Sequence, residues 1–111
     1  MEYISTRNIK KTFMFKDVFL KGLAPDGGLF VPKNFPKYNS AELENLRRFS
    51  YKDLATKIIY KFCNDEFSEQ EVNNLVQTSY KNFRIKEVVK IKKLGKLNLL
   101  ELFHGPTLAF K

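Results

Sequence analysis

Ser50-Tyr-Lys-Asp-Leu-Ala-Thr-Lys-Ile-Ile-Tyr-Lys-Phe62 and, after a short break, Ser68-Glu-Gln-Glu-Val-Asn-Asn-Leu-Val-Gln-Thr-Ser-Tyr-Lys-Asn-Phe83 are the stretches whose reading decides the fold. In the first, Tyr51, Leu54, Ala55, Ile58, Ile59 and Phe62 fall at i, i+3, i+4, i+7, i+8 and i+11, the spacing of one face of an α-helix. Ser50 with Asp53 opens that helix. In the second, Ser68 with Glu71 is a capping box, and Val72, Leu75, Val76, Tyr80 and Phe83 extend a stripe to residue 83. Two amphipathic helices in tandem are expected to pack on each other, so both stripes read as core.

Toward the N-terminus, Asn39 and Glu42 make a second capping pair, for a short helix over 40–48 that carries Leu43 and Leu46 inward. Before it, Gly22-Leu-Ala-Pro-Asp-Gly-Gly-Leu-Phe-Val-Pro32 holds a turn that delivers a short β-prone run ending at Pro32. That run is expected to pair with a first strand over 3–6. Between them, Phe15, Val18 and Phe19 predict a helix over 13–21, stopped by Gly22.

Toward the C-terminus the period changes. Val88-Val-Lys-Ile-Lys-Lys-Leu94, a Gly95-Lys96 turn and Leu97-Asn-Leu-Leu-Glu-Leu-Phe103 predict a β-hairpin, buried on at least one face. A helical unit giving way to strands that need a sheet marks a domain boundary after Arg84. The fold class is therefore α+β, with a small helix-rich unit over 1–84 and the start of a second domain over 85–111.

The composition suits this: 43% hydrophobic and 29% charged residues, 11 Phe and 5 Tyr in 111 residues supply a modest aromatic core without a structural metal. The single cysteine, Cys63, has no internal disulfide partner. The start Met-Glu-Tyr-Ile-Ser-Thr-Arg lacks a basic and then apolar leader, and no apolar run approaches the roughly 20 residues of a membrane span, so no membrane association and a cytoplasmic location are expected. The net charge of +8 raises nucleic-acid binding as a class. Lysines spread along most of the chain argue against it. The alternative of a stand-alone basic interaction module rests on Lys90 to Lys96, which lacks the interleaved aromatics of a base-stacking surface.

The groups able to carry chemistry gather in His104-Gly-Pro-Thr-Leu-Ala-Phe-Lys111. Gly105-Pro106 is a turn signal. His104, the one histidine, suits an acid, a base or a stacking ring, or a structural role. Thr107 offers a hydroxyl to cap a helix or bind a ligand. Lys111 follows the apolar Leu108-Ala-Phe110, and a poorly solvated amine loses its charge and becomes a nucleophile toward carbonyls. Spacing alone reads Lys111 as a solvated terminal lysine.

Leu100-Glu-Leu-Phe-His-Gly-Pro-Thr-Leu-Ala-Phe-Lys111 resembles the cofactor-lysine segment of threonine synthases, pyridoxal 5′-phosphate (PLP) enzymes of the tryptophan-synthase β-subunit type. Ala109 and Phe110 also suit the looser lysine signature of the wider serine/threonine dehydratase superfamily. Tyr3-Ile-Ser-Thr-Arg7, Gly22 to Pro32 and Ser50-Tyr-Lys-Asp-Leu-Ala55 resemble the family's N-terminal domain in the same order. Asn8 departs from the glycine that many members have there, which puts the local turn in question.

The resemblance implies the following. Residues 85–111 begin a truncated α/β PLP domain of fold type II. Lys111 forms the Schiff base with PLP, and His104 and Thr107 are neighbours in the active site. The whole enzyme converts O-phospho-L-homoserine and water into L-threonine and phosphate. The family's Ser-Gly-Asp-Thr-Gly phosphate loop is not among these 111 residues, so the chain by itself is expected to be inactive. Some threonine synthase-like proteins are phospho-lyases that release phosphate without making threonine, and the residues that separate the two activities are expected beyond Lys111.

Overall fold

The computed structural model describes residues 1–110. The chain runs β1 (Tyr3–Ser5), β2 (Thr12–Phe13), α1 (Phe15–Lys21), β3 (Phe30–Pro32), α2 (Ser40–Leu46), α3 (Tyr51–Cys63), α4 (Glu69–Ser79), β4 (Lys90–Leu94) and β5 (Leu97–Glu101). This is the expected α+β class, with four helices and short strands.

The first sheet is antiparallel in the order β2-β1-β3, with Tyr3 opposite Phe13 and Pro32, and Ser5 opposite Phe30. The expected pairing of the first strand with the run ending at Pro32 is present. Pro32, which has no N–H, sits on an edge strand, where a missing donor is tolerated. Phe13 belongs to a strand and not to a helix: it pairs with Tyr3 and packs its ring edge-on against Phe30 at 4.9 Å.

Helix α1 starts at Phe15, and its N-cap residue Met14 has no capping side chain. The cap comes instead from the loop after α3, where Asp65 Oδ2 accepts the Phe15 N–H at 3.1 Å. Gly22, at φ 70°, ends the helix as its sequence predicts.

The turn before β3 is locked to β1. Ser5 Oγ donates to Asp26 Oδ1 at 2.7 Å, Gly28 N donates to the same oxygen at 2.9 Å, and Arg7 N donates to Ser5 Oγ at 3.1 Å. A Cβ at Gly28 would lie 2.2 Å from Ser5 Oγ, so only glycine fits this approach. Asn8 is accommodated without a left-handed backbone, and its Oδ1 accepts the Lys10 N–H at 3.0 Å.

Helices α3 and α4 pack together as expected, around buried Cys63, Val72 and Val76, with Phe15, Ala55, Tyr60, Phe67 and Tyr80 against them. Tyr3 OH donates to the Phe62 carbonyl and ties the sheet to α3. The stripes are only partly core, however. Thr56 and Cys63 are the buried residues of α3, whereas Tyr51, Ile58, Ile59 and Leu75 are exposed. Leu43 is also exposed, Leu46 is half-buried, and α2 buries no residue. Within residues 1–110 each helix meets fewer neighbours than its stripe is wide enough to cover. Helix α4 also stops at Ser79: Tyr80 is its C-cap, at φ −93° and ψ 7°, so Phe83 lies beyond it.

Strands β4 and β5 form the predicted hairpin around Gly95 at φ 59°, but the expected buried face is absent. Ile91, Leu94, Leu97, Leu99 and Leu100 are all exposed. Register explains why the lysines form no single basic stripe: Lys90 and Lys92 alternate with Ile91 and Lys93, so the charges divide between the two faces of the ribbon. Among the described residues no helix is long and apolar enough to cross a membrane.

Candidate functional site

The segment singled out by sequence leaves β5 and is anchored before it turns. Arg84 N donates to the His104 carbonyl at 2.9 Å, which joins this segment to the chain just beyond α4. Gly105 is buried under the Phe83 ring, and a Cβ there would come within 3.0 Å of Phe83 Cζ. Phe83 packs edge-on against Tyr80 at 4.9 Å, and Tyr80 against Tyr51 at 5.3 Å. This aromatic ladder runs from the start of α3 to the loop. Burial, reinforced by Tyr51, pushes the Tyr80 phenol above its ordinary pKa.

Beyond Gly105 the chain makes a tight turn, with Leu108 N donating to the Gly105 carbonyl at 3.1 Å. Leu108 takes φ 57°, left-handed backbone that a leucine adopts at a cost of about 1–2 kcal/mol. Thr107 lies in this turn, exposed, and the helix it was a candidate to cap does not follow among the described residues. Lys111 lies outside the described residues.

His104 is held by two neighbouring side chains. Its Nε2 lies 2.9 Å from Glu101 Oε2, and both side chains are 13% exposed. The Phe103 ring lies 4.8 Å from the imidazole. Sequence reading missed Glu101: in a β-strand a spacing of three puts two residues on opposite faces, and the contact arises because β5 ends at Glu101. Sequence spacing assigns Phe83 and Tyr80 to the helix stripe; what separates them from it is the end of α4, which rests on backbone geometry. Among the described residues, no group of three or more His, Cys, Asp or Glu side chains is placed to hold a metal ion.

A lysine amine suits the aldehyde carbon of PLP, whereas the phosphate needs several free backbone N–H groups from a glycine-rich loop. The one adjacent glycine pair cannot serve, because Gly27 N already donates to the Ala24 carbonyl and Gly28 N to Asp26 Oδ1. A carboxylate at that turn also repels phosphate. Among the described residues the one adjacent glycine pair therefore offers no phosphate cradle.

Comparison with known proteins gives one consistent answer. Residues 2–80 match the family described as threonine synthase N terminus. The chain is 42% identical over 113 residues to the threonine synthase of Schizosaccharomyces pombe, covering 100% of this chain and 22% of that protein. It is 37% identical over 113 residues to human threonine synthase-like 2, covering 100% of this chain and 23% of that protein. A crystal structure of PLP-bound threonine synthase from Brucella melitensis superposes with a TM-score of 0.93 at 36% identity, over 99% of this chain and 24% of that one. The chain thus spans about a quarter of the length of the proteins it matches. With the family match running from the first strand to the end of α4 and the same fold in a solved relative, the chain belongs to the threonine synthase family.

Proposed function

We propose that this chain forms the N-terminal unit of a PLP-dependent threonine synthase and supplies its cofactor lysine, Lys111. In this reading the whole enzyme converts O-phospho-L-homoserine and water into L-threonine and phosphate. The observation that carries it is the likeness over 99% of the chain to a PLP-bound threonine synthase. Residues 1–84 are the N-terminal domain, and 85–111 open a tryptophan-synthase β-like PLP domain of fold type II. A family match that ends at residue 80, followed by a hairpin with no covered face, supports that division.

When bound, PLP supplies an electron sink for charge developing at the substrate carbons. Lys111 Nζ would hold the cofactor's aldehyde end, and as an amine it would serve as the base that moves protons at the substrate carbons. Phe83 over Gly105 and the Arg84 N–H on the His104 carbonyl set the direction of the segment that leads to it. His104 and Thr107 are proposed as neighbours of the reacting groups.

A chimera tests this: residues 1–111 replace the matching quarter of the Schizosaccharomyces pombe enzyme in a strain that lacks threonine synthase. The chimera should restore growth without threonine, and its Lys111→Ala form should not. Growth of the Lys111→Ala chimera, or failure of a well-expressed parent chimera, overturns the proposal. The purified 111-residue chain, lacking a phosphate cradle, should neither retain PLP stoichiometrically nor form threonine.

A second reading is a threonine synthase-like phospho-lyase; the 37% identity to human threonine synthase-like 2 puts a threonine synthase-like protein among the relatives. Phosphate release without threonine by the natural protein would select it.

A further inference from the structure

We propose that Glu101 is a positioning residue that fixes the tautomer of His104, so that Nδ1 becomes the ring nitrogen presented to a ligand. This rests on the reading above only for what the ligand is. A carboxylate only accepts hydrogen bonds, so at 2.9 Å from Glu101 Oε2 the facing Nε2 must carry a proton. In a neutral imidazole one nitrogen carries the proton and the other accepts, so Nδ1 is left as an acceptor. Among the described residues nothing hydrogen-bonds to Nδ1.

Burial makes the arrangement firm. With both side chains 13% exposed, water competes weakly for the Glu101 carboxylate, and a charge-assisted bond in such a place is stronger than one in solvent. The backbone adds a second constraint, since the His104 carbonyl is held by Arg84 N and the next residue, Gly105, is pinned under Phe83. The imidazole therefore has a fixed backbone origin and one fixed nitrogen. The ligand class follows from the free nitrogen: a hydroxyl or amine that donates to Nδ1. A phosphate or carboxylate oxygen could be received there only after the ring has taken a second proton.

His104 is the one histidine, so ¹⁵N-histidine labelling of the chain gives a single imidazole to read. At alkaline pH the wild-type ring should show Nε2 protonated and Nδ1 bare, with the Nε2–H tautomer in excess by about tenfold or more, the ratio a charge-assisted bond is worth. Glu101→Gln keeps the shape but can donate as well as accept, so it should collapse that excess toward a mixture. A bare Nε2 in the wild type, or the same ratio in both proteins, overturns the proposal. If the variant does not fold, the wild-type ratio is compared with that of the urea-unfolded chain, which keeps only the intrinsic Nε2–H preference of a free imidazole; equal ratios overturn the proposal. In the chimera, Glu101→Gln should lower kcat more than it raises KM and shift the pH profile; a purely structural role would leave the profile in place. Failure of the chimera with the expected spectrum would sink the functional reading and leave the tautomer assignment standing.

Discussion

Ser5, 1% exposed in the centre of the small sheet, holds the turn that precedes β3 by donating to Asp26. That bond first, then the Gly28 N–H and the Arg7 guanidinium, keep the Asp26 carboxyl below its ordinary pKa. A lowered folded value means that the contribution to stability is present above the unfolded pKa, near 3.9, and is lost as pH falls through the folded value. Ser5→Ala should therefore lower the urea midpoint at neutral pH, and its gap from wild type should narrow below about pH 4. It should narrow without closing, because the Arg7 N–H still lacks its acceptor. A gap independent of pH, followed by circular dichroism, would refute the Asp26 link. The Pro25-Asp26-Gly27-Gly28 turn was legible from sequence because its residue types carry its geometry; the Ser5 partner, 21 residues away, was not.

Among the elements, capping boxes were the most legible feature, since N-cap and N3 partners are three residues apart and need nothing else. Asn39 with Glu42, and Ser68 with Glu71, both form in full. Their effects on stability should differ. Helix α4 carries Val72 and Val76 into the core, so Ser68→Ala should remove about 1 kcal/mol from global unfolding. Helix α2 buries no residue, so Asn39→Ala should fray that helix and shift the global midpoint less. Urea titrations of the two variants side by side check this, and equal shifts would contradict the assignment. The ends of α1 and α4 were less legible. Phe13 went to a strand and Tyr80 to a cap, because a paired strand and an aromatic ladder outweighed the helical period.

At the scale of the molecule, the radius of gyration is 16.7 Å, against about 13 Å for a compact chain of this length. The shape is elongated, 48 × 31 × 31 Å, and the β4–β5 hairpin contributes apolar residues to solvent on both of its faces. A two-stranded ribbon with no covered face is marginal in water. Amides of 92–99, away from the Glu101–His104 contact, should exchange with solvent at least about tenfold faster than the core amides of α3 and α4, as measured by hydrogen exchange. Equal protection would mean that the hairpin is held by contacts not seen in this fold. The same exposed leucines that make the hairpin weak here are those that a larger sheet would cover, in keeping with a chain that spans about a quarter of its relatives' length.

By itself the sequence determined the α+β class, the pairing of the two central helices, both capping boxes, the hairpin and, through resemblance, the family. Each of these is local or periodic, written within a few residues or one helical turn. Tertiary structure alone decided which half of each apolar stripe is buried, that Asp65 caps α1, that Phe83 covers Gly105, and that Glu101 holds His104. Burial and side-chain partnership depend on what the fold brings alongside, and residue spacing carries no record of that.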